Sequence, residues 1–414
     1  MLRVKPFIRL CIAASIALLS IAHLKLIVFG IPLYSVEMPI FVASIAYAYG
    51  WRRKIFSPFG SIDFRNPFVI GILLFFFGAV LSFAVNPFSL TGLGMLKTWF
   101  VFPLAASWLW LETKPDNRDL ERLLFVWLGV TALSACASLV FFAQGALTYD
   151  GRLEAWYASP NYLAFFLAPG VLLAVYMLSS SFFAKRHFLQ TLLWLSLAAL
   201  VLALFLTRSY EVWVGVCAAL LIFFLLGKRE SLSWRGSIAA ALLLVGVFSS
   251  FVFLESGSEK WQSLATLNER SSFASREMIW QAAAKIIADH PFFGIGIGRF
   301  QETYLAYQQY FPPYLEWAAP QPHNLYLAVW LEAGIMGLLG FFLLIAAWFR
   351  NLSSLRHSDD GNERIKKISA LLMALFGLYL ILGLVDTPFF KTDSAFIFWF
   401  ILAFGIGLNR QNQR

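Results

Sequence analysis

A histidine and an asparagine, His323-Asn324, stand where a charged stretch gives way to a long hydrophobic run containing Gly334 and Gly337. A neutral imidazole at such a boundary can take a proton from a hydroxyl group. Three arginines stand at similar boundaries. Arg152 lies in Tyr149-Asp150-Gly151-Arg152-Leu153-Glu154, Arg208 in Thr207-Arg208-Ser209-Tyr210-Glu211, and Arg276 just ahead of Trp280. A guanidinium keeps its charge and offers a planar fork of donors suited to phosphate oxygens. Several together could neutralise a departing diphosphate without a metal ion. The plainer alternatives stay open. Each arginine could pair with a nearby acid (Asp150, Glu211 or Glu277) or extend to lipid headgroups, and His323 could be a helix cap.

These residues must be held by the elements around them. Arg276, Trp280 and His323 belong to a polar break of roughly 70 residues, 255–323, between hydrophobic runs. Inside it, Met278, Ile279, Ala282, Ala283, Ile286 and Ile287 recur at helical spacing and predict an amphipathic helix over 275–289. Ser275 is its expected N-cap, and Arg276 would fall in the first turn, where free backbone N–H groups also favour an anion. His290-Pro291 ends it. A glycine-rich turn follows, then a shorter helix near 299–309, broken by Phe311-Pro312-Pro313. The apolar stripe predicts a helix lying on the membrane surface or over a cavity mouth.

Past His323, helical spacing puts Leu327, Leu331, Gly334 and Gly337 on the face that the histidine begins. Glycines there let a neighbouring helix approach closely. Glu332 falls on the opposite face and is not expected to orient His323. Glu37, Lys97 and Glu332 are ionisable groups at membrane depth, expected either to line a polar cavity or to pair and brace the bundle.

The chain is 60% hydrophobic and 13% charged, too apolar for a soluble protein of 414 residues. Repeated stretches long enough to span a bilayer predict an all-α polytopic membrane protein with about 12 transmembrane helices. Nine fall in 1–254, the first two at 8–29 and 32–50 and the ninth at 236–254. A lid-like helical loop occupies 255–323 and connects to three more spans in 324–414. Most basic residues collect in alternate loops and at both termini, which places those cytoplasmic and the 255–323 loop outside. The net charge of +9 is thus a topology signal and needs no nucleic-acid partner. Cys11, Cys136 and Cys217 all fall inside spans, so no disulfide framework is expected. No metal-ligand cluster or cofactor motif is present; Gly294-x-Gly296-x-Gly298 lacks dinucleotide-binding spacing.

The pattern Arg276-x3-Trp280, Pro291-x2-Gly294-x-Gly296-x-Gly298-x-Phe300, then His323-Asn324, nine residues and Gly334-x2-Gly337 resembles the O-antigen ligase/polymerase superfamily of bacterial envelope assembly. The order matches over roughly 210–345. The resemblance implies a GT-C-like inner-membrane glycosyltransferase working on the periplasmic face, inverting and without metal or cofactor. Its donor would be a glycan on undecaprenyl diphosphate and its acceptor lipid A–core. By that resemblance His323 activates the acceptor hydroxyl and Arg152, Arg208 and Arg276 hold the diphosphate, with Trp280, Asn324, Gly334 and Gly337 in support. The pattern looks more like ligases than polymerases, the nearest alternative. Two positions depart: Leu338-Leu339 replaces a frequent Thr-Thr, and Ser209-Tyr210-Glu211 stands where Ser-Arg-Gly is frequent, leaving Arg208 to substitute. A secondary transporter, of another class, would need inverted repeats and helices broken at mid-membrane; the sequence shows neither.

Overall fold

The computed structural model describes residues 4–28, 31–56, 63–179, 186–227, 253, 256–257, 272–312, 318–357 and 362–412. Apart from Phe253, the ninth expected span lies outside these residues, as do Lys260 and Arg270 of the loop. The described chain is a helical bundle. Its first helices are α1 (Val4–Ala17), α2 (Glu37–Arg52), α3 (Pro67–Val85), α4 (Leu90–Leu96) and α5 (Phe102–Glu112). Then come α6 (Asn117–Ala143), α7 (Pro160–Leu178), α8 (His187–Leu206) and α9 (Tyr210–Leu226). Two shorter helices, α10 (Ser272–Asp289) and α11 (Phe300–Tyr307), precede α12 (Leu325–His357), α13 (Glu363–Leu382) and α14 (Thr392–Asn412). Seven described helices are long and apolar enough to cross a membrane, and α9 is a shorter apolar helix. The protein is a polytopic helical membrane protein.

The first two expected spans need correction. Residues 25–28 and 31–34 pair as two antiparallel strands, β1 (Lys25–Val28) with β2 (Ile31–Tyr34), rather than helix. The β-branched Ile27, Val28 and Ile31 favour strand, and Pro32 offers no N–H to a helix ladder. Between α4 and α5, Lys97–Val101 is a π-turn. It brings Lys97 onto buried Glu37, which also accepts from Tyr34 N (2.9 Å) and Thr98 Oγ1 (2.8 Å). Of the two readings of these membrane-depth charges, pairing and bracing is the one observed for Glu37 and Lys97.

Polar ties stitch one end of the bundle. Arg9 of α1 meets Asp119 of α6, Arg364 of α13 meets Glu121 of α6, and Arg356 of α12 donates to the Lys366 carbonyl (2.8 Å). The opposite end carries the strand pair, the 144–159 connection, the α8–α9 turn, α10 and α11, and the starts of α12 and α14.

α3 and α12 pack through glycines. A Cβ on Gly78 would come within 2.5 Å of Gly337 N, and one on Gly340 within 2.4 Å of Phe75 N. That is the close approach expected of Gly337. Gly334 does something else. It interrupts α12 with φ 66° and ψ −175°, and a Cβ there would meet the Phe292 carbonyl oxygen at 2.3 Å. The helix is thus broken about 14 Å below its start, a break that the even hydrophobicity of the run conceals. The partner is the glycine-rich segment after α10. Ile295 N donates to the Leu331 carbonyl (2.8 Å), Ile335 N to the Phe292 carbonyl (3.2 Å), and Gly298 N to Glu332 Oε2 (2.6 Å). Irregular backbone at this depth persists because protein groups satisfy it. Glu332 accordingly serves this loop and not His323.

Candidate active site

Arg152 is placed by a tight turn. Gly151 N donates to the Thr148 carbonyl (2.9 Å) and Thr148 Oγ1 accepts from Arg152 N (2.9 Å). Leu153 N then bonds the Leu206 carbonyl (2.9 Å), docking this turn on the end of α8. The guanidinium donates to the Thr207 carbonyl (2.8 Å), Asn161 Oδ1 (2.6 Å) and Ser209 Oγ (3.1 Å), with Asp150 at 4.0 Å. Burial pushes its pKa down, opposed by Asp150 and Glu211. Arg208 sits in the same turn in a left-handed conformation (φ 49°), its Nη1 3.9 Å from where a Gly151 Cβ would stand. The two loops singled out in the sequence are therefore one structural unit.

The helix expected at 275–289 begins earlier, at Ser272, so Ser275 is not its N-cap and Arg276 lies past the first turn. Arg276 therefore stands beyond the free N–H groups of the helix start. Its apolar stripe is buried against Ile295, Phe300, Tyr304 and Leu331, so this helix caps the bundle and packs on protein. Arg276 reaches back to α9, 3.8 Å from Glu211 Oε1. Its ion partner is thus Glu211 and not its neighbour Glu277. One turn on, Trp280 Nε1 donates to the His323 carbonyl (3.2 Å), so α10 fixes the arginine and the histidine together.

His323 itself is held in a left-handed conformation (φ 48°), sparsely populated for a residue with a Cβ and characteristic of functional sites. Asn324 caps α12: its Oδ1 accepts from Tyr326 N (3.0 Å) and Leu327 N (3.1 Å). Asn324 Nδ2 donates to the Leu384 carbonyl (2.9 Å) and Leu325 N to the Gly383 carbonyl (2.7 Å). These bonds pin the α13–α14 connection beside the histidine and deliver Asp386. Its Oδ1 lies 3.5 Å from His323 Nδ1. Sequence reading missed Asp386 altogether. Burial would push its carboxyl up, but Lys391, His323 and the Thr387 N–H more than offset that and hold it well below the usual range. At this distance no hydrogen bond is made; a small approach of the carboxylate would hold a proton at Nδ1 and leave Nε2 to accept another.

Lys391 closes the group. Its Nζ stands 3.4 Å from the centre of the Tyr162 ring and 4.3 Å from that of Phe165. Burial pushes it down to about 8, against Asp386, Asp393 and Glu211. Glu211 thus links the arginine cluster to the His323–Asp386 pair. Five polar atoms here are sealed from solvent without a hydrogen-bond partner: Glu211 Oε1, Gln321 Oε1, His323 Nδ1, Asp386 Oδ2 and Lys391 Nζ. Buried polar atoms are almost always bonded, so this concentration of unmade bonds makes the region the candidate site.

Residues 195–342 match the family model Wzy_C, described as O-antigen ligase. This segment belongs to the O-antigen ligase superfamily. No curated protein matches the chain. The O-antigen ligase segment runs from α8 into α12 and carries Arg208, Arg276, Trp280, His323 and Asn324. Arg152, Asp386 and Lys391 lie outside it and reach the same place only through the fold. The match supports a glycosyl-transferring enzyme of ligase or polymerase type that works on lipid-linked polysaccharide.

Proposed function

We propose that the protein is an O-antigen ligase. It would transfer a polysaccharide from undecaprenyl diphosphate to lipid A–core on the periplasmic face of the inner membrane, with inversion and without a metal ion. The observation that carries this reading is the convergence, at one end of the bundle, of a carboxylate-backed histidine and an arginine cluster joined through Glu211.

In this reading Arg152, Arg208 and Arg276 take the donor diphosphate, whose oxygens match their planar donor forks. Glu211 serves as the counter-ion of Arg276 and gives way to the phosphate. His323 accepts the proton of the acceptor hydroxyl at Nε2, while Asp386 holds Nδ1–H and stabilises the imidazolium that forms. The hydroxyl oxygen then displaces the diphosphate from the anomeric carbon, and the arginines balance the charge that leaves. The mid-helix break at Gly334 is a feature transporters also use, but here it is filled by the 292–298 loop, which supports the enzyme reading.

The test is deletion of the gene followed by inspection of the surface lipopolysaccharide. Bare core with long polymer stranded on the lipid carrier is expected. Core bearing a single repeat would assign a polymerase instead, and an unchanged ladder would remove both.

A further inference from the structure

A large cavity lies at the end of the bundle away from His323, and the transfer chemistry makes no use of it. It measures 1210 Å³, above the usual range for small-molecule pockets. Its walls are apolar: Phe68, Ile72 and Phe76 of α3, Leu104 of α5, Ala347 of α12 and Ile406 of α14. Along α3 it extends from Pro67 to Phe76, about 14 Å at the helical rise, close to half the roughly 30 Å of a bilayer core. It therefore occupies the depth of one leaflet and has the length of a lipid chain.

Polar groups gather mainly at its mouth; Ser107, deeper on α5, already donates to the Trp399 carbonyl (3.1 Å). Arg350 is exposed and makes no hydrogen bond or ion pair among the described residues. The amides of Asn351 and Asn409 bond to each other beside it. Two carboxylates share this rim, Asp63, with Oδ1 taken by Arg65 N (2.9 Å), and Glu112, which faces Tyr47. One cation among amides suits a phosphate, and two carboxylates suit an ammonium. A headgroup carrying only negative charge would meet more acid than base. We propose that this groove is a binding site for one zwitterionic phospholipid of the phosphatidylethanolamine type. One acyl chain lies between α3 and α14, the phosphate sits at Arg350, and the ammonium sits between Asp63 and Glu112. The proposal is independent of the transferase reading.

Native mass spectrometry of the full chain, in micelles doped with equimolar phosphatidylethanolamine and phosphatidylglycerol, tests it. The wild type should retain one phosphatidylethanolamine in preference to phosphatidylglycerol. Ala346→Trp, on an exposed part of the wall, should lower that occupancy at least tenfold. Arg350→Gln should lower it several-fold, and decides alone if the tryptophan variant fails to fold. Equal retention of phosphatidylglycerol, wild-type occupancy in either folded variant, or displacement by an added polyprenyl phosphate would each overturn the proposal.

Discussion

Two buried clusters of charge in this molecule have opposite character. At Glu37 and Lys97 the carboxylate is fully enclosed, yet both of its oxygens are engaged, by Lys97, Tyr34 N and Thr98, and Lys97 also donates to the Pro32 carbonyl (2.6 Å). At Glu211, His323, Asp386 and Lys391 only Asp386 is as enclosed, with His323 keeping 30% of its side chain exposed, and an atom of each lacks a hydrogen bond. The first arrangement offsets the cost of placing ions in an apolar bundle, and nothing remains for a ligand to satisfy. The second leaves part of that cost without an offset from the chain's own groups. Buried charge alone does not mark a site; several charged groups with unmade bonds drawn to one place point to a candidate.

Substitutions should separate the two. Glu37→Ala strands Lys97 and should cost about 3 kcal/mol or more of stability, read as a lowered thermal midpoint, with transfer per folded molecule unchanged. A large loss of transfer by folded Glu37→Ala would merge the clusters. Asp386→Asn should do the reverse, because the amide no longer holds the histidine tautomer. We expect transfer to fall on the order of 10²-fold, with the midpoint little changed. Arg276→Lys keeps the charge but loses the fork, so turnover should drop about tenfold; unchanged kinetics would mean that Arg276 only pairs with Glu211. The smallest effect is expected from Lys391→Met. Removing the cation lifts the restraint that keeps Asp386 low, so the acidic limb of the pH–rate profile should move to higher pH. Glu211 and Asp393, which also face Lys391, remain and act in the same sense. A limb that stays put would detach Lys391 from the pair.

Much of this was legible because it is local. The hydrophobic runs named the helices, the loop periodicity named α10, and His323-Asn324 marked the start of α12. The arginine-bearing loops stood out as charges at span ends. What stayed hidden depends on contacts between distant segments. Asp386 lies 63 positions beyond His323 and meets it only because Asn324 and Leu325 bond Leu384 and Gly383. Glu211 reads as a neighbour of Arg208, yet its ion partner is Arg276. Gly334 looked like a helix-packing glycine, and its left-handed conformation is set by a loop that no periodicity announces. The strand pair at 25–28 and 31–34 was read as membrane helix because its residues are as apolar as their neighbours.

The central claim is that His323 performs the proton transfer at a site whose arginines bind the donor separately. Purified His323→Ala, incubated with lipid-linked polysaccharide and lipid A–core, tests it most directly when donor binding and product formation are followed in the same sample. The account predicts donor bound as tightly as by the wild type and no product. Product at the wild-type rate would contradict it.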